Sequence, residues 1–260
     1  MGCGWLGLPL AEHLLRSHYK VKGSTTTPAK IPLLQKKGIE PYLISCDPQI
    51  SALDIDSFLE TDVLFVNIPF RKNLAEPNFY RQQMEAILLN LEIAPVAQVI
   101  FASSTSVYPQ TNSAVSEDTD FIPATERAQI LREIEERFVS ESSATIIRFG
   151  GLYGPDRIPG AHIKAGPIEG AQTPVNLIHR DDCVNIICEV IQLDCRGEIF
   201  NACADEHPTR KELYDHWAQK TGRLPPVFSD PQKATSYKIV SNEKLKRRFS
   251  YSYQHPNPLE

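Results

Sequence analysis

Gly2-Cys3-Gly4-Trp5-Leu6-Gly7 spaces three glycines as GxGxxG, and Pro9 to Arg16 behind it carries apolar residues at helical intervals. Glycines so spaced let a backbone turn tightly, approach a pyrophosphate and pack the next helix closely on a sheet. The unpaired amides and dipole of that helix start favour an anion. The chemistry expected is a cradle for dinucleotide phosphates, formed by Gly2, Gly4, Trp5, Leu6 and Gly7. A strand normally delivers the chain into such a turn. None lies ahead of Gly2 in these 260 residues, so we expect a chain shortened by its first central strand, or a gap covered by another segment or subunit.

Further along, Ser24, Thr25, Thr26 and Thr27, with Lys30 beyond, follow a short apolar stretch. Hydroxyls and a lysine without a carboxylate suit a ribose phosphate, which favours NADP with NAD as the alternative. The same residues also suit a polar turn capping a helix at Pro28. Ser103-Ser104-Thr105-Ser106-Val107-Tyr108 sets hydroxyls after an apolar run, although such clusters often only satisfy backbone groups. The sequence has no Gly-x-Ser-x-Gly elbow for serine hydrolysis. His13, His18, His162, His207, His216 and His255 show no metal-ligand spacing with the acids, so no metal is expected. Arg157 and Lys164 are cations in a loop-rich region and suit an anionic substrate.

The elements that must position these residues alternate. Strands are predicted over 19–23, 41–45, 62–68, 96–102, 144–149 and 198–201, and helices over 28–37, 77–91, from about 125 to 140, 182–193 and 209–221. Continuous apolar strands interleaved with helices indicate an α/β fold, Rossmann-like, with a mostly parallel sheet covered by helices on both faces. We expect residues 1–150 to form a nucleotide-binding core and 151–260 mainly a small C-terminal substrate lobe, with 176–202 returning to the core. The tail from Leu224 reads as irregular.

With 27 Lys and Arg against 32 Asp and Glu, the net charge of −5 and the lack of a basic aromatic patch argue against nucleic acid as a partner. Without a membrane-length apolar run or a signal-peptide pattern, a cytoplasmic protein is expected, with no membrane partner. Six scattered cysteines without a CxxC pair read as free, mostly buried thiols.

Taken in order, the glycine turn, Ser103 to Tyr108, Ile147-Arg148-Phe149-Gly150-Gly151-Leu152-Tyr153-Gly154-Pro155, Asn176-Leu177-Ile178-His179-Arg180-Asp181-Asp182, Ile199-Phe200-Asn201-Ala202 and Thr209-Arg210-Lys211-Glu212-Leu213 carry a likeness. The chain resembles, nearly end to end, the extended short-chain dehydrogenase/reductase superfamily of the NAD-dependent epimerase/dehydratase type. Within it the chain looks most like the YeeZ-like branch. The resemblance implies an NAD(P)-binding oxidoreductase or epimerase acting on a hydroxyl or carbonyl substrate. It places Ile68, Pro69 and Ser103 beside the cofactor, and Ser104 on the hydroxyl that bonds a substrate oxygen. Tyr108, Tyr153 and the stretch around His179 would line the cleft. A small-molecule substrate, an anionic one included, and a homodimer are the partners it allows.

One departure is decisive. Active relatives use a Tyr-x-x-x-Lys pair, whose spacing puts proton donor and ribose-holding lysine on one helical face. With Glu135 aligned on the acid that usually follows the pair, Arg127 falls on the tyrosine and Leu131 on the lysine. No tyrosine or lysine occurs between Pro109 and Tyr153. A guanidinium stays protonated and a leucine holds no hydroxyl. Proton transfer would therefore be non-standard, with Tyr108 or Tyr153 as a replacement acid, or Arg127 as an anion or oxyanion binder. The alternative is a catalytically silent NADP-binding sensor or scaffold.

Overall fold

The computed structural model describes residues 1–70, 77–161, 163 and 166–260. The architecture is α/β, with a mostly parallel sheet flanked by helices. Residues 1–103, 125–147 and 187–199 form one compact unit, and 104–124, 148–186 and 200–260 form a second.

In the first unit the glycine turn runs into α1 (Gly7–Arg16), whose Ala11 packs with Leu34 and Ile39 in a small apolar core. Strand β1 (Lys22–Thr25) pairs in parallel with β2 (Glu40–Cys46), which pairs antiparallel with β3 (Ile50–Ala52). Between them lie a 3-10 turn at Pro28–Lys30 and α2 (Ile31–Lys36). Proline early in each suits positions whose amide needs no helical partner. Asp54 caps α3 (Ile55–Leu59) by accepting the Ser57 amide. Strand β4 (Val63–Val66) then pairs in parallel with β5 (Gln98–Ser104).

The backbone of Met1 to Cys3 lies between β1 and β4. The Met1 amino group donates to Phe65 O at 2.6 Å, Asn67 N donates to Met1 O at 3.1 Å, and Cys3 N donates to Ser24 O at 2.9 Å. Along the rest of the two strands a slot of about 170 Å³ separates them, walled by Leu10, Leu14, Val21, Leu64 and Phe65 among others. The two strands belong to different sheets, one ordered β1-β2-β3 and the other ending on β4.

Helices α4 (Pro77–Ile93) and α5 (Glu126–Ser142) pack together. Thr125 caps α5 through the Ala128 amide, and its apolar residues Ala128, Ile130, Leu131, Ile134 and Phe138 are buried. Its charged face carries Arg132–Glu136 and reaches α4 through Arg81–Glu133 and Arg137–Glu85. Exposed pairs of this kind contribute little each. Strand β6 (Ala114–Val115) lies between β5 and α5 in sequence. Strand β7 (Thr145–Phe149) is fully buried, Thr145 and Arg148 included.

Strand β8 (Gly151–Tyr153) pairs in parallel with β9 (Leu177–His179), which leads directly into α6 (Arg180–Leu193). With β10 (Ile199–Ala202) the second sheet has the order β10-β7-β5-β4. In the second unit, Thr209 and Glu212 form a reciprocal capping box at α7 (Arg210–Thr221), and Gly222 at φ +69° closes it.

The tail differs from the irregular segment expected. It contains β11 (Ile239–Val240), paired in parallel with β6, and α8 (Glu243–Phe249). Both are too short to reveal a period, and β11 exists through a partner more than 120 residues earlier. The buried Asp182 carboxylate then fastens the chain end, accepting from Tyr251 Oη and Gln254 N at 2.8 Å and His255 N at 3.0 Å. Among the described residues no helix is long and apolar enough to cross a membrane. All six cysteines are free; Cys183, Cys195 and Cys203 are buried, and Cys3, Cys46 and Cys188 are partly so.

Candidate nucleotide-binding site

The first unit holds a cavity of about 480 Å³ at the carboxyl ends of β1, β2 and β4. Gly2, Gly4, Ser24, Thr25, Thr26, Lys30, Ile68 and Pro69 all line it. Backbone geometry explains the glycines. Gly2 has φ +93°, and a Cβ there would lie 2.6 Å from Asn67 O; a Cβ on Gly7 would lie 2.2 Å from Gly2 O. A Cβ on Gly4 would meet nothing within 4 Å. Gly2 and Gly7 are thus required by close backbone packing, while Gly4 leaves space open. Trp5, Leu6 and Gly7 stand outside the lining, with Leu6 and Gly7 buried at the start of α1.

Sequence reasoning missed Cys46, Asp47, Asn67, Phe79 and Gln83 in this lining. Asp47 and Asn67 lie just past strand ends, the one signal that could have found them. Asn67 also holds the turn, since its Nδ2 donates to Gly2 O at 3.3 Å.

Two hydroxyls expected to hold a ribose phosphate also serve the local turn. Ser24 Oγ accepts the Gly2 amide at 2.9 Å, and Thr25 Oγ1 accepts the Thr27 amide at 3.1 Å. Both residues are buried.

Ser103 donates its hydroxyl to the buried Glu135 on α5. Arg127, on the preceding turns of that helix, donates to Phe70 O and stacks its guanidinium 3.9 Å from the Phe70 ring centroid. Phe70 in turn stacks on Tyr80, which donates to Ile68 O at 3.1 Å. Arg127 therefore props the segment that brings Ile68 and Pro69 to the cavity. Leu131, on the lysine position, is buried at 4% exposure.

The second unit gathers the other residues singled out. Ser104 Oγ accepts the Ser106 amide at 3.1 Å, which leaves its own hydrogen free to donate elsewhere. Tyr108, at 2% exposure, donates to Asn201 Oδ1 at 3.0 Å and accepts from the buried Arg148 at 2.6 Å. Lys238 Nζ donates to Tyr108 O at 2.8 Å, and Glu117 accepts the Asn201 amide at 2.7 Å. Burial raises the Tyr108 pKa despite Arg148. A buried, doubly bonded phenol of this kind is a structural member of a polar network, in place of the replacement acid expected.

Tyr153 is also buried, its pKa raised by desolvation, and its hydroxyl has no hydrogen-bond partner among the described residues. Its ring meets that of His179 at 5.1 Å. Arg157 is exposed in a tight turn closed by Gly154. His162 and Lys164 lie outside the described residues. His179 and His255 approach to 3.7 Å between ring centroids, with Asp181 beside both. Burial first, then His255, lowers the His179 pKa, which favours the neutral imidazole.

No protein-family model matches the chain. It is 31% identical to protein YeeZ of Escherichia coli K12 over 263 aligned residues, covering 100% of this chain and 96% of YeeZ. A protein from Methylobacillus flagellatus, assigned by inference as an NAD-dependent epimerase/dehydratase, is 25% identical with a TM-score of 0.72, covering 98% of this chain and 92% of its own. UDP-glucuronic acid 4-epimerase from Bacillus cereus, solved in complex with NAD, shares the fold at a TM-score of 0.73 and 19% identity, covering 99% and 92%. The expected NADP preference is corrected here: similar structures hold NAD. Fold, glycine turn and full-length likeness agree: the chain belongs to the YeeZ family and shares the Rossmann-like fold of NAD-holding epimerase structures.

Proposed function

We propose that the first unit binds NAD in the cavity at the ends of β1, β2 and β4, and that the chain is an NAD-dependent oxidoreductase or epimerase for a hydroxyl or carbonyl substrate. The observation that carries this is the cavity of about 480 Å³ lined by Gly2, Gly4, Lys30 and Asn67, a size ordinary for a small-molecule site. The open space at Gly4 beside the start of α1 suits a pyrophosphate. Lys30 supplies a positive charge on the same wall, and Asp47 an acceptor at the end of β2. NAD bound there would accept a hydride from an alcohol carbon or return it to a carbonyl.

The chain's own contribution is positioning and hydrogen bonding. Ser104 has a hydroxyl hydrogen to donate to a substrate oxygen. Tyr153, Arg157 and His179 are the substrate contacts in this reading, Arg157 for an anionic group. Arg127 acts as a positioning residue through Phe70. Proton transfer runs without the Tyr-x-x-x-Lys pair.

A second reading, a catalytically silent NAD-binding sensor or scaffold, is favoured by the commitment of Tyr108 to Arg148 and Asn201 and by the burial of Leu131. Calorimetric titration with NADH and NAD, followed by nicotinamide absorbance with a panel of hydroxyl and carbonyl compounds, separates the two. Binding with hydride exchange that Ser104→Ala abolishes supports the enzyme. Binding without exchange across the panel supports the sensor, and no binding overturns both.

A further inference from the structure

His179, Asp181 and His255 meet at the junction of β9 and α6, although the last is 74 positions beyond Asp181 in sequence. Asp181 Oδ2 lies 3.6 Å from His179 Nδ1 and 3.8 Å from His255 Nε2, and the three donor atoms lie within 4.8 Å of one another. Ligands of a tetrahedral zinc ion with bonds of about 2.0–2.1 Å are separated by about 3.4 Å. The oxygen–nitrogen spacings are slightly wider than this, while the two rings, 3.7 Å apart between centroids, must part for both to face one ion. Asp181 is exposed and His255 is a third exposed, so these two side chains have room to rotate.

Both imidazoles bring a nitrogen to 3.6 and 3.8 Å from one carboxylate oxygen, their rings crowd each other at 3.7 Å, and His179 Nδ1 accepts the Asp181 backbone amide at 3.2 Å, a bond that an ion would replace. Two imidazolium ions would repel there, whereas two neutral imidazoles and a carboxylate make a donor set of net charge −1 that a dication complements. Imidazole nitrogen with carboxylate oxygen suits a borderline transition-metal ion better than magnesium or calcium, which take oxygen ligands.

Neighbouring groups hold the set in place. Asp182 accepts the amides of Gln254 and His255, which fixes the tail at the height of α6. The Tyr153 ring flanks His179 edge-on at 5.1 Å. His179 is only 10% exposed at its side chain, so its ring position is set by packing. Outer groups that orient ligands in this way are part of what makes a metal site.

We propose that His179, Asp181 and His255 bind one divalent transition-metal ion of the zinc class, which clamps the C-terminal tail onto the β9–α6 junction. Three protein ligands leave one coordination position for water or another ligand.

The test is calorimetric titration of the full chain, stripped with chelator, with Zn²⁺, alongside Co²⁺ as a spectroscopic substitute. The expected result is one equivalent of Zn²⁺, a higher melting temperature reversed by chelator, and no response to Mg²⁺. His255→Gln and Asp181→Asn should each lose the Zn²⁺ isotherm while keeping the far-ultraviolet dichroism of the parent. Using two variants guards against one that fails to fold. Lack of saturable Zn²⁺ binding by the parent overturns the site. So does binding that survives in both folded variants, or a Co²⁺ spectrum with thiolate charge transfer, which would assign the ion to cysteines.

Discussion

Ser24 Oγ accepts the amide hydrogen of Gly2 at 2.9 Å, so the end of β1 holds the first glycine of the phosphate turn. Replacing Ser24 with alanine strands that amide beside a buried position, a loss of about 1–3 kcal/mol for an unsatisfied donor. We expect Ser24→Ala to lower stability by about 1 kcal/mol in urea unfolding and to weaken NADH binding roughly 5-fold by loosening the turn. Unchanged affinity in calorimetry would detach the turn from the cofactor.

The glycines of the turn separate into two roles. A methyl on Gly7 collides with Gly2 O at 2.2 Å, whereas one on Gly4 meets nothing within 4 Å on the cavity lining. Gly7→Ala should destabilise by about 1–3 kcal/mol as an overpacked site. Gly4→Ala should melt within about 2 °C of the parent yet lose most NADH binding. Thermal denaturation and calorimetry on both variants check the contrast, and equal effects on folding would refute it.

Restoring the family pair should fail. Leu131 is buried at 4% exposure on the inner face of α5, and Arg127 is engaged with Phe70. A lysine at 131 would bury an ammonium in an apolar environment. Arg127→Tyr with Leu131→Lys is expected to cost at least about 3 kcal/mol and to gain no turnover. A stable double variant with new hydride transfer would show that α5 can present this face to a substrate.

Glu117 provides a pH signature in the second unit. Desolvation raises its pKa, outweighing the Asn201 amide that favours the carboxylate. A raised carboxylic pKa means that the folded state holds the proton more tightly than the unfolded chain. Stability from this group is therefore greatest at acid pH and declines as pH rises from the unfolded value through the raised folded one. Glu117→Gln keeps an oxygen to accept the Asn201 amide and removes the titration. Its melting temperature relative to the parent should rise between about pH 4 and pH 8. A difference that is flat with pH would refute the assignment.

Short-range features of the chain were legible from residue order. The alternation of apolar runs and amphipathic stretches specified an α/β fold, because the periods of strand and helix are written in neighbouring positions. The GxGxxG spacing announced the turn, and the absence of tyrosine and lysine from 110 to 152 settled the loss of the usual catalytic pair. The helix over 209–221 was likewise local.

Tertiary structure decided which of those groups remain available. Ser24 and Thr25 read equally well as phosphate ligands or as turn formers, and only the fold shows that their oxygens accept the Gly2 and Thr27 amides. Tyr108 read as a spare acid until Arg148 and Asn201, 40 and 93 positions away, took both sides of its hydroxyl. His255 carried no metal spacing in the sequence and reaches His179 because the folded tail, held by Asp182 and by the Glu206 and Trp217 bonds to Pro256 O and Pro258 O, returns to α6. Hydrogen-bond capacity is a property of a side chain, but its expenditure depends on partners brought together by packing, and no local pattern records those long-range pairings.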